Sequence, residues 1–120
     1  MTRLRSLMLA AGAVALTAAC AGAPKPEAQM ASSEGAIRGA SEAGAQNVPQ
    51  ATLYIKLAQE QRQQALALIK DGDNGRAQYL LARSEADAEL ALALAKQARA
   101  QQEAQRADQK VQELQDKVQP

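Results

Sequence analysis

Few residues in this 120-residue sequence have side chains suited to chemistry: a single cysteine, Cys20, and the acidic turn Asp71-Gly72-Asp73-Asn74-Gly75. His and Trp are absent. A thiol is a nucleophile and a site of covalent modification, whereas a lone cysteine has no internal partner with which to form a disulfide. The acidic turn offers carboxylates to a hard cation. A calcium loop, however, requires the alternation D-x-[DN]-x-[DN]-G closed by a Glu, and Arg76 stands where the Gly belongs. Catalysis requires a base near a nucleophile and a cleft that shifts their pKa values. Here there is no nucleophile elbow, and the carboxylates fall at solvated helix positions. The sequence therefore implies no catalytic residue, no cofactor, no metal site and no small-molecule substrate, and a hydrolase is the least supported function.

The position of Cys20 is more informative than its chemistry alone. The chain opens with the basic stretch Thr2-Arg3-Leu4-Arg5, continues with an apolar run from Leu7 to Leu16, and then has small residues up to Cys20. That order is the grammar of an export signal. A membrane-spanning helix needs about 20 apolar residues, and Pro24, Lys25, Pro26 and Glu27 end the pattern too early for one. Leu16-Thr17-Ala18-Ala19-Cys20 resembles the lipobox of bacterial lipoproteins, with Leu16 one place further out than the family pattern and Thr17 in its position. The resemblance implies that residues 1–19 are a cleaved signal peptide and that Cys20 becomes an N-terminus carrying diacylglycerol and fatty acyl (palmitate) chains. An ordinary signal peptide followed by an incidental cysteine is the alternative. Lipoproteins with Asp after the cysteine tend to stay in the inner membrane, and Ala21 stands here. The resemblance thus implies the outer membrane, facing the periplasm.

Beyond the anchor, residues 20–32 form the lipidated N-terminus and a proline-containing tether, and residues 33–120 an alanine-rich helical domain. Of the 120 residues 29 are Ala, and the aromatics are Tyr54 and Tyr79, so each buried side chain contributes little apolar area. Ala, Leu, Gln, Glu, Lys and Arg dominate after residue 50, and these lose least on entering a helix. The expected fold is all-α: a short antiparallel three-helix arrangement, made of a helical hairpin plus a short first helix, with a long C-terminal coiled-coil-like helix that partly overhangs. The first helix is expected from Ser33 to Gln46, capped by Ser32 or Ser33. Gly35, Gly39 and Gly44 with Ala36, Ala40 and Ala43 would give it a smooth face open to close packing.

Pro49 suits the first turn of a second helix running to Lys70. Its inward face is expected at Tyr54, Leu57, Ala58, Gln61, Ala65, Leu68 and Ile69, with Lys56 and Glu60 paired on the other side. Gly72 suits the left-handed position beyond that helix, and Asp73 or Asn74 can cap the next. The third helix, Asn74 to Val118, has no Pro or Gly after Gly75. At 1.5 Å per residue it spans roughly 65 Å against roughly 33 Å for the second helix, so about half of it overhangs. A heptad-like stripe runs through Leu90, Ala93, Ala100, Ala104, Ala107, Val111, Leu114 and Val118, interrupted by Gln97. Arg99 with Glu103 and Glu113 with Lys117 flank it at i,i+4 spacing. The stripe from Ala100 to Val118 is the candidate partner-facing surface, for another copy or for a different protein; because it is mostly Ala, a frayed, solvated tail is the alternative.

The order of an Ala/Gly-rich stretch from Glu34 to Gly44, then Val48-Pro49-Gln50-Ala51-Thr52-Leu53-Tyr54, Ala65-Leu66-Ala67 to Gly72, Ala77 and Ala82, and Ala86-Asp87-Ala88-Glu89-Leu90-Ala91, resembles the family called domain of unknown function 4398. These are alanine-rich helical envelope proteins, often lipoproteins and sometimes joined to an OmpA-like peptidoglycan-binding domain. The likeness covers about residues 33 to 98 and implies fold and compartment alone. The Gly72-Asp73 turn also looks like one tetratricopeptide pair, and an array would need several such repeats. Basic and acidic residues nearly balance, 14 against 13, with no basic stripe or aromatic platform, which argues against nucleic-acid binding. The expected role is that of a non-catalytic, lipid-anchored structural or adaptor protein. The alternative is a self-associating coiled-coil spacer like the murein lipoprotein, whose C-terminal Lys attachment is not matched by Asp116-Lys117-Val118-Gln119-Pro120.

Overall fold

A computed structural model of the chain describes residues 22–119, and the expected signal peptide at residues 1–19 and Cys20 lie outside them. The described residues are all-α: helix α1 (Glu27–Glu42), a short 3-10 turn (Ala45–Asn47), helix α2 (Pro49–Lys70) and helix α3 (Asn74–Val118). α2 and α3 form the antiparallel hairpin, and α1 lies against both, parallel to α3. This is the expected class and layout.

The hairpin follows from local signals. Val48 is extended and Pro49 occupies the first helical turn of α2, where its missing N–H has no partner to lose. α2 ends at Lys70; Gly72 takes the left-handed φ of 79°, and Asp73 caps α3 through Oδ1, which accepts from the Arg76 N–H at 3.2 Å. The second oxygen of Asp73 lies 2.8 Å from Arg76 Nε. Both carboxylate oxygens of the residue weighed for calcium are thus occupied in closing the turn.

α1 differs from expectation at both ends. It begins six residues earlier than Ser33, at Glu27, and ends at Glu42 rather than Gln46. Pro26 is buried and stands at the N-cap, and Glu27 supplies the favoured carboxylate of the first turn. Ser32 and Ser33 are interior residues, Ser33 donating back to Met30 O and Ser32 sharing its one proton between Glu85 at 2.8 Å and the more distant Gln29 O at 3.3 Å, so neither is a cap. Residues 27–32 are therefore helix, and the extended tether within the described chain shrinks to Gly22–Pro26, tied down where Asn74 Nδ2 donates to Ala23 O at 2.8 Å.

The expected smooth face packs through its alanines and not its glycines: Ala40 is fully buried and Ala43 lies against the same cluster, whereas a methyl group at Gly35 or Gly39 would meet nothing within 4 Å. Gly44 serves the backbone: its φ of 84° turns the chain from α1 into the 3-10 segment. Gly35→Ala and Gly39→Ala are accordingly expected to stabilise the fold by up to about 1 kcal/mol each through helix propensity, and Gly44→Ala to destabilise it by about 1 kcal/mol. Thermal unfolding of the three variants checks the difference in sign.

The core is thin and has two apolar ends. Toward the turn, Ala65, Ala77 and Leu81 are buried with Met30, Leu68, Ile69 and Leu80 around them. At the other end Ala40, Ala45, Ala51, Ile55, Ala91 and Ala95 pack together. On α2 the buried positions are Ala51, Ile55, Ala58, Gln61 and Ala65; Ile55 lies deeper than Tyr54, Leu57, Leu68 or Ile69, which are half-buried.

Polar bonds between the two ends hold the helices in register. Buried Ser84 Oγ donates to Ala58 O at 2.7 Å, Gln61 Nε2 donates to Asp87 Oδ2 at 2.7 Å, and Ser32 Oγ donates to Glu85 Oε2 at 2.8 Å. Arg62 bridges α2 to Glu34 of α1 at 2.8 Å, and Arg38 approaches the same carboxylate at 3.6 Å. The pairs expected at Lys56–Glu60, Arg99–Glu103 and Glu113–Lys117 are not formed; on the tail Lys110 meets Glu113 instead, at 3.5 Å. Exposed pairs of this kind are worth too little to fix one geometry.

Candidate interaction surface

The face of α3 that packs on the hairpin runs through Ala77, Leu81, Ser84, Ala88, Ala91 and Ala95, all buried, with steps of four and three residues. Carried onward, the same phase meets Ala98 and then Gln102, Gln105, Gln109, Gln112 and Asp116, so this inner seam turns polar where α2 and α1 run out. The stripe expected from the sequence is a different one. Leu90 and Ala93 lie two residues out of phase with Ala88 and Ala91, which places them about 200° round the helix from the packed face. All of Leu90, Ala93, Ala100, Ala104, Ala107, Val111, Leu114 and Val118 are exposed. The stripe is thus a second seam on the back of α3 rather than an extension of the first.

This outer seam also reaches further back than the sequence suggested. In the same phase it passes Ala86 and Arg83 to Tyr79, so it accompanies nearly the whole of α3. The exposed large hydrophobics among the described residues are Leu53 on α2 and, on this seam, Tyr79, Leu90, Val111, Leu114 and Val118, the last 80% exposed. Isolated exposed apolar residues are ordinary on a protein surface. Five of them in one heptad phase on one helix form an unpartnered face. The Arg83 guanidinium lies 6.0 Å from the Tyr79 ring centre, within reach of a cation–π contact.

From Arg99 to the end of α3 every residue is exposed, so the helix stands free for about 30 Å beyond the hairpin. Ala, Gln, Glu, Lys and Arg make up most of it, and no Pro or Gly interrupts it. Intrinsic propensity and uninterrupted i→i−4 bonding carry its helicity without tertiary support. One flank bears Glu89, Lys96, Glu103 and Lys110, a charge of alternating sign once per heptad. At the turn end of the hairpin, Leu68 and Leu80 with Tyr79 form the apolar floor of an open groove, and Asp71 and Arg76 stand at its rim.

Among the described residues no group of three His, Cys, Asp or Glu side chains is placed to hold a metal ion. No helix among them is long and apolar enough to cross a membrane. Cys20 lies outside the described residues, two positions before Gly22.

No curated protein and no solved structure matches the chain. A family model, Domain of unknown function (DUF4398), matches residues 28–107, which spans α1, the hairpin and the first part of the overhang. With two thirds of its length covered by that model, the chain belongs to the domain of unknown function 4398 family.

Proposed function

We propose that this chain is a non-catalytic cell-envelope protein, held on the periplasmic face of the outer membrane by lipid on Cys20, that uses the outer seam of α3 as a protein-interaction surface. The observation that carries the interaction role is the heptad-spaced row of exposed Tyr79, Leu90, Val111, Leu114 and Val118 on a helix that outlasts its own hairpin. Such a row has no use inside the folded chain, since the opposite face makes the packing contacts.

The anchor role rests on Cys20 at the end of a signal-like segment and gains from the placement of the described N-terminus. Ala23 is bonded to Asn74 at the turn of the hairpin, while α3 ends at Val118, far beyond the other end of α1 and α2. A lipid on Cys20 would hold the turn end of the hairpin close to the membrane. One acyl chain alone binds a membrane reversibly, and several hold it firmly.

Replacing Cys20 by Ser is expected to move the protein from the membrane fraction to the soluble fraction of the envelope, with its helical circular dichroism unchanged. Retention of the Cys20→Ser protein in the membrane fraction would rule out the lipid anchor.

A further inference from the structure

We infer that the outer seam of α3 is covered by a second copy of this chain running in the opposite direction, so that each free tail lies along the back of the other's hairpin. The inference rests on the interaction role proposed above and names its occupant, orientation and register.

Length fits this arrangement. The free stretch from Arg99 to Val118 equals the stretch from Tyr79 to Ala98, about 30 Å, along which the seam backs the hairpin. With the twofold axis between Ala98 and Arg99, the two copies overlap from Tyr79 to Val118, more than the three to four heptads a coiled coil needs. The hairpin body does not obstruct the approach, because it occupies the opposite side of α3.

In that register half of the seam pairs set a bulky residue against a small one, while Ala93 meets Ala104 and Leu114 meets the stem of Arg83. Leu90 faces Ala107 of the second copy, Val111 faces Ala86 and Gln97 faces Ala100. The tip of the tail, Val118, arrives beside Tyr79, which lines the open groove at the turn end. Knobs of one helix then have room between small residues of the other, and the two backbones can approach closely.

Charge selects the direction and the register. Antiparallel pairing sets like flank against like flank, so Glu89 faces Lys110 of the second copy and Lys96 faces Glu103, each twice by symmetry. Sliding one heptad either way brings Lys96 onto Lys110 and Glu103 onto itself, or Glu89 onto Glu103 and Lys96 onto itself. Parallel pairing places Arg83 on Arg83 and Glu103 against Asp108, with Lys96 and Lys110 left to Gln101 and Gln115. On the other flank of the favoured register Asp87 faces Asp108, and Asp87 is already bonded by Gln61.

The test is sedimentation equilibrium of the full chain in mild detergent, with circular dichroism to confirm helicity. The native protein should be a dimer, Glu103→Lys should weaken it about tenfold, and the double change Lys96→Glu with Glu103→Lys should restore it. A parallel dimer would instead be strengthened by Glu103→Lys, which then meets Asp108. A strictly monomeric native chain, a dimer strengthened by Glu103→Lys, or one indifferent to it would overturn the inference. The monomeric result together with release of Cys20→Ser from the membrane leaves the anchored adaptor standing, whereas a charge-sensitive dimer whose Cys20→Ser form stays membrane-bound removes the anchor and keeps the pairing.

Discussion

Leu81→Ala is expected to lower the stability of the folded chain by about 3 kcal/mol, measured as a shift of the urea midpoint with an unchanged denaturant slope. Leu81 is fully buried between Ala65 and Ala77. Truncating a core leucine removes its transfer free energy and leaves a void whose cost depends on how far the surroundings collapse into it. At this site the buried neighbours are alanines, which have no rotamers with which to fill the space. Only half-buried Met30, Leu68, Ile69 and Leu80 at the rim can move inward. A loss below about 1 kcal/mol would mean that those rim residues, rather than Leu81, hold the turn end of the hairpin.

Ala91→Leu is expected to cost about 2 kcal/mol by the opposite route. Ala91 is fully buried where α3 meets Ala40, Ala45, Ala51 and Ile55, drawn from α1, the 3-10 turn and α2. A leucine there must push several backbones apart, because their alanines have nothing to fold away. Ala93, two residues on, is exposed on the outer seam. Ala93→Leu should leave monomer stability within about 0.5 kcal/mol of the native value, so the pair separates inner from outer seam by thermal or urea unfolding of dilute protein. Equal costs at the two positions would contradict the placement of the packed face.

The hairpin was legible because its boundaries are written in residues with one physical meaning. Pro49 opens α2, Gly72 takes the left-handed position, Asp73 caps α3, and no Pro or Gly interrupts the chain from Arg76 to Val118. The start of α1 was obscured by two serines that have the right type for a cap but sit inside the helix, Ser33 bonded to Met30 O of the preceding turn and Ser32 chiefly to Glu85. Pro26 held the true signal, and a proline reads equally well as tether or as helix start until its burial is seen.

The interaction surface was legible only in part, for a reason specific to alanine. Ala86, Ala88, Ala91, Ala93 and Ala95 lie on both sides of α3, so apolar periodicity cannot distinguish the packed face from its reverse. Beyond the hairpin the ambiguity disappears, because glutamines occupy the inner phase while Val111, Leu114 and Val118 mark the outer one. The continuation of the seam to Tyr79 is not legible in the sequence, because charged Arg83 separates it from the apolar row that begins at Ala86 and Leu90. The bonds of Ser84 to Ala58 and of Gln61 to Asp87 have no sequence signature, because their partners lie 26 residues apart.

The two seams of α3 share one uninterrupted helix, which makes it a shaft that keeps angular phase. Each inserted residue would rotate everything beyond it by about 100°. A single insertion near Ala98 would leave the inner seam on its hairpin and the outer row internally intact while aiming the free part of that row at a new quarter of the surroundings. A heptad is the shortest insertion or deletion that returns the tip to within about 20° of its original bearing. The reach of this protein can therefore change in steps of one heptad, roughly 10 Å, while its aim is preserved.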